Sequence, residues 1–406
     1  MREHSGKKLA CVLLSLSLAG FVPTACSNGK GTDDTSETEP ASPATAASSD
    51  VQDTAPVETT APGPIINPTA ITGDIDADVD FAYCEITGYN AYNGQFAGMF
   101  LTEGDRVAVI APASLPSEEQ LDATIAGLES WGYVPVPGNN VLKEDRTLEE
   151  CREDLMNALT DPSIKAVFCV RGGYGSTEVM DVMTEDMINA IRNSNKLIIG
   201  FSDITVYHSA WSLAGIPSVH ATMSASFTTL TDHCIEAEQN MLKGKIPSYR
   251  CETNEYCING SAEGVLIGGN LSTMTAVINT AYDCTKAGKP YILFFEEIGE
   301  DIQHIHRSLE ILKHAGVLDG ASGIVFGEWK DIPADFGGYG GDSRGGEFVS
   351  VEDMIAREFL KAYNKPVAFG FPAGHSDTVN FPLLMGVNAK LVVSDGNYTL
   401  DWTGAK

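Results

Sequence analysis

Short apolar runs alternate with amphipathic stretches from Val107 onward, and this alternation predicts the fold class of the chain. Val107 to Ile110 are apolar, and the following "SEEQLDATIAGLESWG" spaces its apolar residues as a helix does. The same order returns in "IKAVFCV", "KLIIG" and "ITVYHSAWSLAG". Buried strands that alternate with helices are typical of a parallel α/β sheet. We therefore expect residues 104–230 to form a Rossmann-like α/β domain.

A second region follows a polar connector at residues 231–260. It contains the apolar strand "YILFFEE", a helix around "IHRSLEILKHAG" and the strand "SGIVFGEW". This mixture predicts a smaller, mixed α/β domain over residues 261–406. An extra segment at residues 81–103 precedes both domains and has the pattern of a small added hairpin. The run "DFGGYGGDSRGG" is expected to be an exposed loop, because no strand leads directly into it.

The N-terminus has the pattern of an export signal. Three basic residues precede an apolar run from Leu9 to Val22, which is short for a membrane span and predicts a signal peptide over residues 1–25. Small residues then lead to Cys26, as in the lipobox of bacterial lipoproteins, although Pro23 stands where leucine is usual. Lipidation at Cys26 is the prediction, with simple secretion or an uncleaved anchor as alternatives.

Residues 26–80 are expected to be a disordered acidic tether. Between Ser27 and Asp80 there are eleven acidic residues and one lysine, and most of the others are small or polar, so the segment cannot bury a core. The whole chain has a formal net charge of −29 and no cluster of Lys and Arg, which excludes nucleic acid as a partner. The predicted location is extracytoplasmic, on a membrane through the lipid anchor.

Seven cysteines remain apart from Cys11 and Cys26, without any CxxC motif. Together with the absence of metal-ligand spacing in the sequence, this predicts that no metal and no other cofactor takes part. Cys251 and Cys257 are the two that lie close in sequence. A disulfide between them is compatible with export, and buried free thiols are the alternative.

Four loops at strand ends carry the candidate chemistry: "RGGYGS", "GFSD", "EEIGE" and "GHSD". Ser202 lies between a strand and a helix, where a serine serves either as a helix cap or as a nucleophile raised by a tight turn. The backbone N–H of Asp203 would then face an oxyanion near the helix N-terminus. The hydrolase pattern G-x-S-x-G is not met, because Ile204 occupies its last position.

A serine nucleophile needs a base, and His375 is the candidate because it follows Gly374 in a loop that leaves an apolar strand. Glu296 and Glu297 end another apolar strand, and one of them can orient the imidazole, since neighbouring strand residues point to opposite faces. In "RGGYGS", a second oxyanion donor falls on Gly172 or Gly173, and Arg171 is compatible with a structural ion pair.

The six motifs "GDRVAVIAPAS", "RGGYG", "GFSD", "IGGNLS", "FFEE" and "GHSDT" occur together and in this order. From Gly104 to its end, the chain resembles the LD-carboxypeptidase family of serine peptidases, also called muramoyltetrapeptide carboxypeptidases, whose relatives include the microcin C immunity peptidases. The resemblance implies a Rossmann-like N-terminal domain and a smaller C-terminal domain. It also implies a murein peptide as substrate and a possible homodimer.

Carried over motif by motif, the resemblance implies a Ser–Glu–His triad of Ser202, Glu296 and His375, with Glu297 as the alternative to Glu296. It implies further that the backbone N–H groups of Gly173 and Asp203 form the oxyanion hole. Three functions follow from the sequence: an exported carboxypeptidase that releases D-alanine from murein tetrapeptide, a microcin-immunity-type peptidase, and a non-catalytic solute-binding lipoprotein.

Overall fold

A computed structural model of the chain describes residues 84–224, 227–333 and 348–405. The predicted signal peptide, the acidic tether with Cys26 and the glycine-rich run at 335–346 lie outside the described residues. Within the described ranges, no helix has the length and apolar character that crossing a bilayer requires.

The described residues contain fourteen strands, most of them short. They are β1 (Cys84–Ala91), β2 (Arg106–Ile110), β3 (Val134–Pro137), β4 (Ile164–Cys169), β5 (Leu197–Gly200), β6 (Ser218–His220), β7 (Lys245–Glu252), β8 (Gly260–Asn270), β9 (Tyr291–Ile298), β10 (Gly323–Lys330), β11 (Val367–Ala368), β12 (Leu383–Met385), β13 (Asn388–Ser394) and β14 (Asn397–Trp402).

Ten α-helices connect these strands in the described part of the chain. They are α1 (Glu118–Ser130), α2 (Leu148–Thr160), α3 (Ser176–Val179), α4 (Glu185–Ser194), α5 (Thr205–Ala214), α6 (Asp232–Leu242), α7 (Leu271–Val277), α8 (Ile302–His314), α9 (Val317–Gly320) and α10 (Val351–Glu358). The first long helices begin at reciprocal caps, Ser117 with Gln120 in α1 and Thr147 with Glu150 in α2. Such capping boxes satisfy backbone N–H groups that the helix itself leaves unpaired.

The first sheet has the strand order β12-β6-β5-β4-β2-β3. Strands β2 to β6 run parallel, and β12 pairs antiparallel with β6. From β2 the chain moves to β3 on one side and then returns to β4 on the other. This reversal creates a switch point between β2 and β4, and ligands of open α/β sheets bind outside the carboxyl ends of the strands at such points.

The second sheet has the order β1-β7-β14-β13-β8-β9-β10-β11. Strands β8 to β11 pair parallel and the others antiparallel, so the sheet is mixed. The predicted α/β class with parallel segments is confirmed. The second sheet nevertheless has eight strands against six in the first, because it recruits β1 and β7 from regions that precede residue 261.

Two segments differ from their sequence-based interpretation. The extra N-terminal segment does not form a hairpin: β1 pairs with β7, which lies more than 150 residues further along the chain. Residues 231–260, predicted as a polar connector, contain α6 and β7, and β7 pairs with β1 and β14. Both were missed because the pairing of these half-buried strands depends on partners that are distant in sequence.

A disulfide joins Cys84 of β1 to Cys251 of β7, and these two residues lie opposite each other in the antiparallel pair. Cys257 is therefore not the partner of Cys251. Its thiol is free and contacts Asn254 Oδ1 at 3.3 Å. The four other described cysteines are free and buried.

Candidate active site

Ser202 lies in a tight turn between β5 and α5, at the carboxyl edge of the first sheet. Its φ is 63°, in the left-handed region that costs a non-glycine residue free energy. Gly200 precedes it with a φ of 154°, and a Cβ at Gly200 would lie only 3.0 Å from Ile204 Cγ1. The turn thus accommodates Ile204, where the hydrolase pattern has glycine, because Gly200 leaves the room.

Ser202 does not cap a helix. Its hydroxyl makes no capping bond at the start of the 3₁₀ turn Ser202–Ile204 or of α5. Instead, Thr205 Oγ1 donates to the carbonyl of Ser202 at 2.7 Å and accepts the backbone N–H of Asn270 at 2.9 Å. The start of α7 is thereby tied to the turn, and the hydroxyl of Ser202 is left for another partner.

That partner is His375, which the structure brings to Ser202 from a loop 173 residues further along the chain. The Nε2 atom of His375 lies 3.0 Å from Ser202 Oγ, and its Nδ1 lies 2.6 Å from Glu296 Oε2. The carboxylate is an acceptor, so Nδ1 carries the proton and Nε2 is free to accept the hydroxyl proton of Ser202. This tautomer is the one that a general base requires.

The site is buried enough for these charges to interact strongly. The side chain of His375 is 13% exposed and that of Glu296 is 0% exposed. Burial alone lowers the pKa of His375, but the charge of Glu296 and its hydrogen bond outweigh this effect, and the pKa lies above the usual value for histidine. The carboxylate therefore stabilises the imidazolium that forms when His375 accepts a proton.

Glu297 points to the opposite face of β9 and has a different environment. Its carboxylate accepts hydrogen bonds from Asn270 Nδ2 at 2.6 Å, and from the backbone N–H and the hydroxyl of Ser272 at 2.8 and 2.6 Å. Asn270 is also the cap of α7. Glu297 thus fixes the start of α7, and the carboxylate that contacts His375 belongs to Glu296.

The loop after β4 packs directly against Ser202. A Cβ at Gly172 would lie 3.2 Å from both Ser202 Oγ and the backbone nitrogen of Asp203. The Asp203 carboxylate accepts the N–H of Ser176 at 2.9 Å, which holds the two loops together, and burial raises its pKa. Within the described residues, no acceptor binds the N–H of Gly173 or of Asp203, so both donors are available to a ligand.

Two further histidines lie beneath the turn without touching Ser202. The Nε2 atom of His208 donates to the carbonyl of Gly200 at 2.9 Å, and its Nδ1 accepts from Ser218 Oγ at 2.8 Å. Burial lowers the pKa of His208 to about 4 and holds that of His220 well below its usual value. Both rings are neutral at physiological pH, and His208 supports the nucleophile turn.

Glu328, which the sequence motifs did not single out, lies in β10 next to the loop of His375. It is buried, and a Cβ at Gly374 would lie 2.9 Å from Glu328 Cβ and 3.3 Å from Glu296 Cβ. Burial raises the pKa of Glu328 to about 7, and Lys330, Glu296 and His375 are the charged groups that act on it. The signal that could have revealed it is a single acidic residue inside the apolar run "SGIVFGEW".

The part of the chain that the structure describes holds no group of three or more His, Cys, Asp and Glu side chains that could bind a metal ion. The chemistry available to the described site is that of a serine, a histidine and a carboxylate in a hydrogen-bonded row. The N–H groups of Gly173 and Asp203 lie on the two loops that pack together here, and they have no acceptor among the described residues, as oxyanion stabilisation beside a nucleophile requires.

Models of one peptidase family match both parts of the chain. The N-terminal domain of the LD-carboxypeptidase family matches residues 107–221, and its C-terminal domain matches residues 263–391. The murein tetrapeptide carboxypeptidase of Pseudomonas aeruginosa is 30% identical over 284 residues, which cover 66% of this chain and 88% of that protein.

Two solved structures have the same fold. The muramoyltetrapeptide carboxypeptidase from Oxalobacter formigenes has a TM-score of 0.62 at 25% identity, covering 73% of this chain and 98% of its own. The microcin C7 self-immunity protein in complex with aspartyl sulfamoyl adenosine has a TM-score of 0.61 at 21% identity, with coverage of 76% and 98%. With both family domains matched in order, the chain belongs to the LD-carboxypeptidase family of serine-type peptidases.

Proposed function

We propose that the protein is an exported serine carboxypeptidase that hydrolyses the L,D bond before the terminal D-alanine of a murein tetrapeptide. The observation that carries the proposal is the continuous row from Ser202 Oγ through His375 to Glu296, built from a turn, a loop and strand β9. A protein that only holds a solute does not need this row, nor a serine with a left-handed backbone. The relative from P. aeruginosa is named for the same substrate class.

In the proposed reaction, Ser202 Oγ attacks the carbonyl carbon of the L-residue while His375 Nε2 takes the hydroxyl proton. The N–H groups of Gly173 and Asp203 stabilise the oxyanion of the tetrahedral intermediate. When the C–N bond breaks, His375 returns its proton to the amine of D-alanine, which leaves. Water then attacks the acyl-enzyme with His375 again as base, and the tripeptide is released with its new carboxyl group.

Export is part of the proposal and is supported by two independent features. The N-terminal sequence has the pattern of a signal peptide followed by Cys26. The disulfide between Cys84 and Cys251 is of a kind that persists in oxidising compartments such as the periplasm or the cell exterior. We therefore propose that the enzyme trims wall peptides in place, outside the cytoplasm.

The test incubates the purified protein with three peptides and follows the products by mass spectrometry. Free D-alanine is expected from the tetrapeptide, whereas the D-Ala-D-Ala pentapeptide and an all-L tetrapeptide should remain largely intact. Ser202→Ala is the control for contaminating peptidases. Equal cleavage of the all-L peptide, or activity confined to an aminoacyl sulfamoyl nucleoside, would instead move the assignment to another branch of the fold.

A further inference from the structure

An enzyme that removes one C-terminal residue must recognise the free carboxylate of its substrate, and the site described above contains no group for this purpose. The carboxylate carbon of the last residue lies three bonds beyond the scissile carbonyl carbon, at most about 4 Å away. A cation that binds it must therefore lie within roughly one residue of Ser202, on the side from which D-alanine leaves.

Arg171 lies at the switch point of the first sheet, in the loop that follows β4. This loop is interlocked with the loop after β2, because Ser114 donates its backbone N–H to Gly172 and accepts the N–H of Tyr174 at 2.9 Å. Arg171 Nη1 lies 3.5 Å from the carbonyl of Leu115 in that neighbouring loop. The guanidinium is thus held where open α/β sheets bind their ligands.

The two glycines that follow Arg171 show how close the guanidinium lies to Ser202. A Cβ at Gly172 would lie 3.2 Å from Ser202 Oγ, and a Cβ at Gly173 would lie 3.4 Å from Arg171 Nη2. Consecutive Cα atoms are about 3.8 Å apart. The nucleophile and the guanidinium therefore flank neighbouring residues of one loop, and the side chain of Ser114 also packs against Gly173.

Among the described residues, no carboxylate pairs with the Arg171 guanidinium. Within that part of the chain, the guanidinium makes one hydrogen bond, the long contact with the Leu115 carbonyl. The ion pair expected from the sequence is therefore not found among the described residues. Arg171 is partly buried, in a chain with 55 acidic residues. A partly desolvated cation with unused donors is stabilised by a carboxylate ligand.

The other cations near the site are occupied. Lys330 forms an ion pair with Asp377 at 3.0 Å, beside the loop of His375. Arg146 donates to the carbonyl oxygens of Ala113 and Val141. Among the described cations of this edge, Arg171 thus keeps donors of its planar guanidinium available for a carboxylate.

Building on the proposed carboxypeptidase function, we infer that the Arg171 guanidinium binds the free carboxylate of the C-terminal D-residue and thereby makes the site an exopeptidase site. The ligand class is the α-carboxylate of a peptide. In a pentapeptide that ends in D-Ala-D-Ala, an uncharged amide takes the place of this carboxylate at the L,D bond. The ion pair therefore explains how the enzyme would select the tetrapeptide.

The test compares two substrates that differ only in this charge, the tetrapeptide with a free carboxylate and its C-terminal carboxamide. The wild-type enzyme should have a kcat/KM for the acid roughly 10- to 100-fold above that for the carboxamide, the range for a charged hydrogen bond. Arg171→Gln should lower kcat/KM for the acid by this factor and leave the carboxamide nearly unchanged. Arg171→Lys should restore part of the preference, since lysine keeps the charge but loses the bidentate geometry.

Lys330→Gln is the matched control, because it removes a nearby cation that already has a partner, and it should keep the preference for the acid. Arg171→Gln with the wild-type preference overturns the inference, and so does an equal loss on both peptides in a correctly folded variant. If Arg171→Gln fails to fold, Arg171→Lys carries the same comparison.

The carboxypeptidase function and the carboxylate site at Arg171 can be tested separately. A wild-type protein that cleaves neither peptide contradicts the carboxypeptidase function, and equilibrium binding of the two peptides to wild type and Arg171→Lys then decides on the carboxylate site. A preference for the acid in wild type that is weaker in Arg171→Lys supports the site, and equal binding of both peptides by the wild type overturns it.

Discussion

Ser202 combines a left-handed backbone with a hydrogen bond to His375, and each property can be tested by a different substitution. Ser202→Ala and Ser202→Gly should both lower kcat/KM by at least about 10³-fold, because attack and acyl-enzyme formation pass through Oγ. Glycine adopts a positive φ without strain, so Ser202→Gly should be more stable than Ser202→Ala by about 1 kcal/mol. Chemical denaturation measures this difference, and equal stability would contradict the strain.

The two adjacent glutamates of β9 should fail in different ways. Glu296→Gln removes the charge that supports the imidazolium, and it should lower kcat by about 10²- to 10⁴-fold with little change in stability. Glu297→Gln places an amide against donors from Asn270 and Ser272, which should lower the free energy of unfolding by about 1 to 3 kcal/mol. Steady-state kinetics and urea unfolding of both variants distinguish the two roles. A loss of kcat in Glu297→Gln together with a loss of stability in Glu296→Gln would make Glu297 the partner of His375.

Glu328 should affect the position of the acid limb of the pH–rate profile through the pKa of His375. His375 acts as a base only when neutral, so kcat/KM falls as the pH drops through its raised pKa. Glu296 raises that pKa most, the negative charges of Glu328 and Glu297 add to the effect, and Lys330 faces Glu328 itself. Glu328→Gln should therefore move the acid limb to lower pH. A limb that stays in place, measured with the same tetrapeptide, would contradict this coupling.

Glu328 should also make the stability of the protein depend on pH. The pKa of Glu328 is raised to about 7 in the folded protein, above its ordinary value, so the folded state favours the protonated form. Its contribution to stability is present at low pH and is lost as the pH rises toward about 7. The gain in stability from Glu328→Gln should accordingly be larger at pH 8 than at pH 5.

At the scale of elements, the strands predicted from apolar runs are those buried on both faces. The runs "IKAVFCV", "KLIIG" and "YILFFEE" became β4, β5 and β9, and the residues at their ends carry the site. The Ser, Glu and His positions came from motif order, but periodicity alone left Ser202 as a cap and both glutamates open. Burial by distant elements settled those choices, as the donors around Glu297 illustrate.

What the sequence did not reveal depends on pairing across long separations. Strand β1 has intermediate burial along most of its length, and its partner β7 follows more than 150 residues later, so no local pattern joins them. The partner of Cys251 was missed for the same reason, because Cys257 is near in sequence while Cys84 is near in space. Glu328 was passed over because a lone acidic residue in a strand has no local partner that marks its role.

The disulfide should stabilise the second sheet without contributing to catalysis. Cys84→Ser frees β1 from β7 and should lower the free energy of unfolding by about 2 to 4 kcal/mol. Cleavage of the tetrapeptide should persist at temperatures well below the melting point, since neither cysteine touches the site. Cys257→Ser, which removes a free thiol and keeps the disulfide, is the matched control and should have the denaturation midpoint of the wild type. Equal denaturation midpoints for wild type and Cys84→Ser would contradict the proposed stabilisation.

At the scale of the whole molecule, the catalytic region begins after more than 80 residues of a different character. The sequence between Cys26 and β1 is acidic and poor in apolar residues, so it can separate an attached domain from a membrane of the same charge. An enzyme held near the wall would meet tetrapeptides where they are formed, whereas a cytoplasmic one would depend on their import. The chain organisation thus connects the proposed substrate with the proposed location.

A lipid anchor at Cys26 can be tested directly. If export ends in lipidation, the mature protein begins at a lipid-modified Cys26, because the thiol that receives the lipid becomes the first residue after cleavage. Mass spectrometry of the N-terminal peptide should find this modification, and fractionation should recover the wild type with membranes. Cys26→Ala should lose the lipid and release the protein, while Cys11→Ala, which changes a cysteine within the signal peptide, should leave the anchor intact. A Cys26→Ala protein that stays full-length on the membrane would show instead that the apolar run from Leu9 to Val22 is an uncleaved anchor.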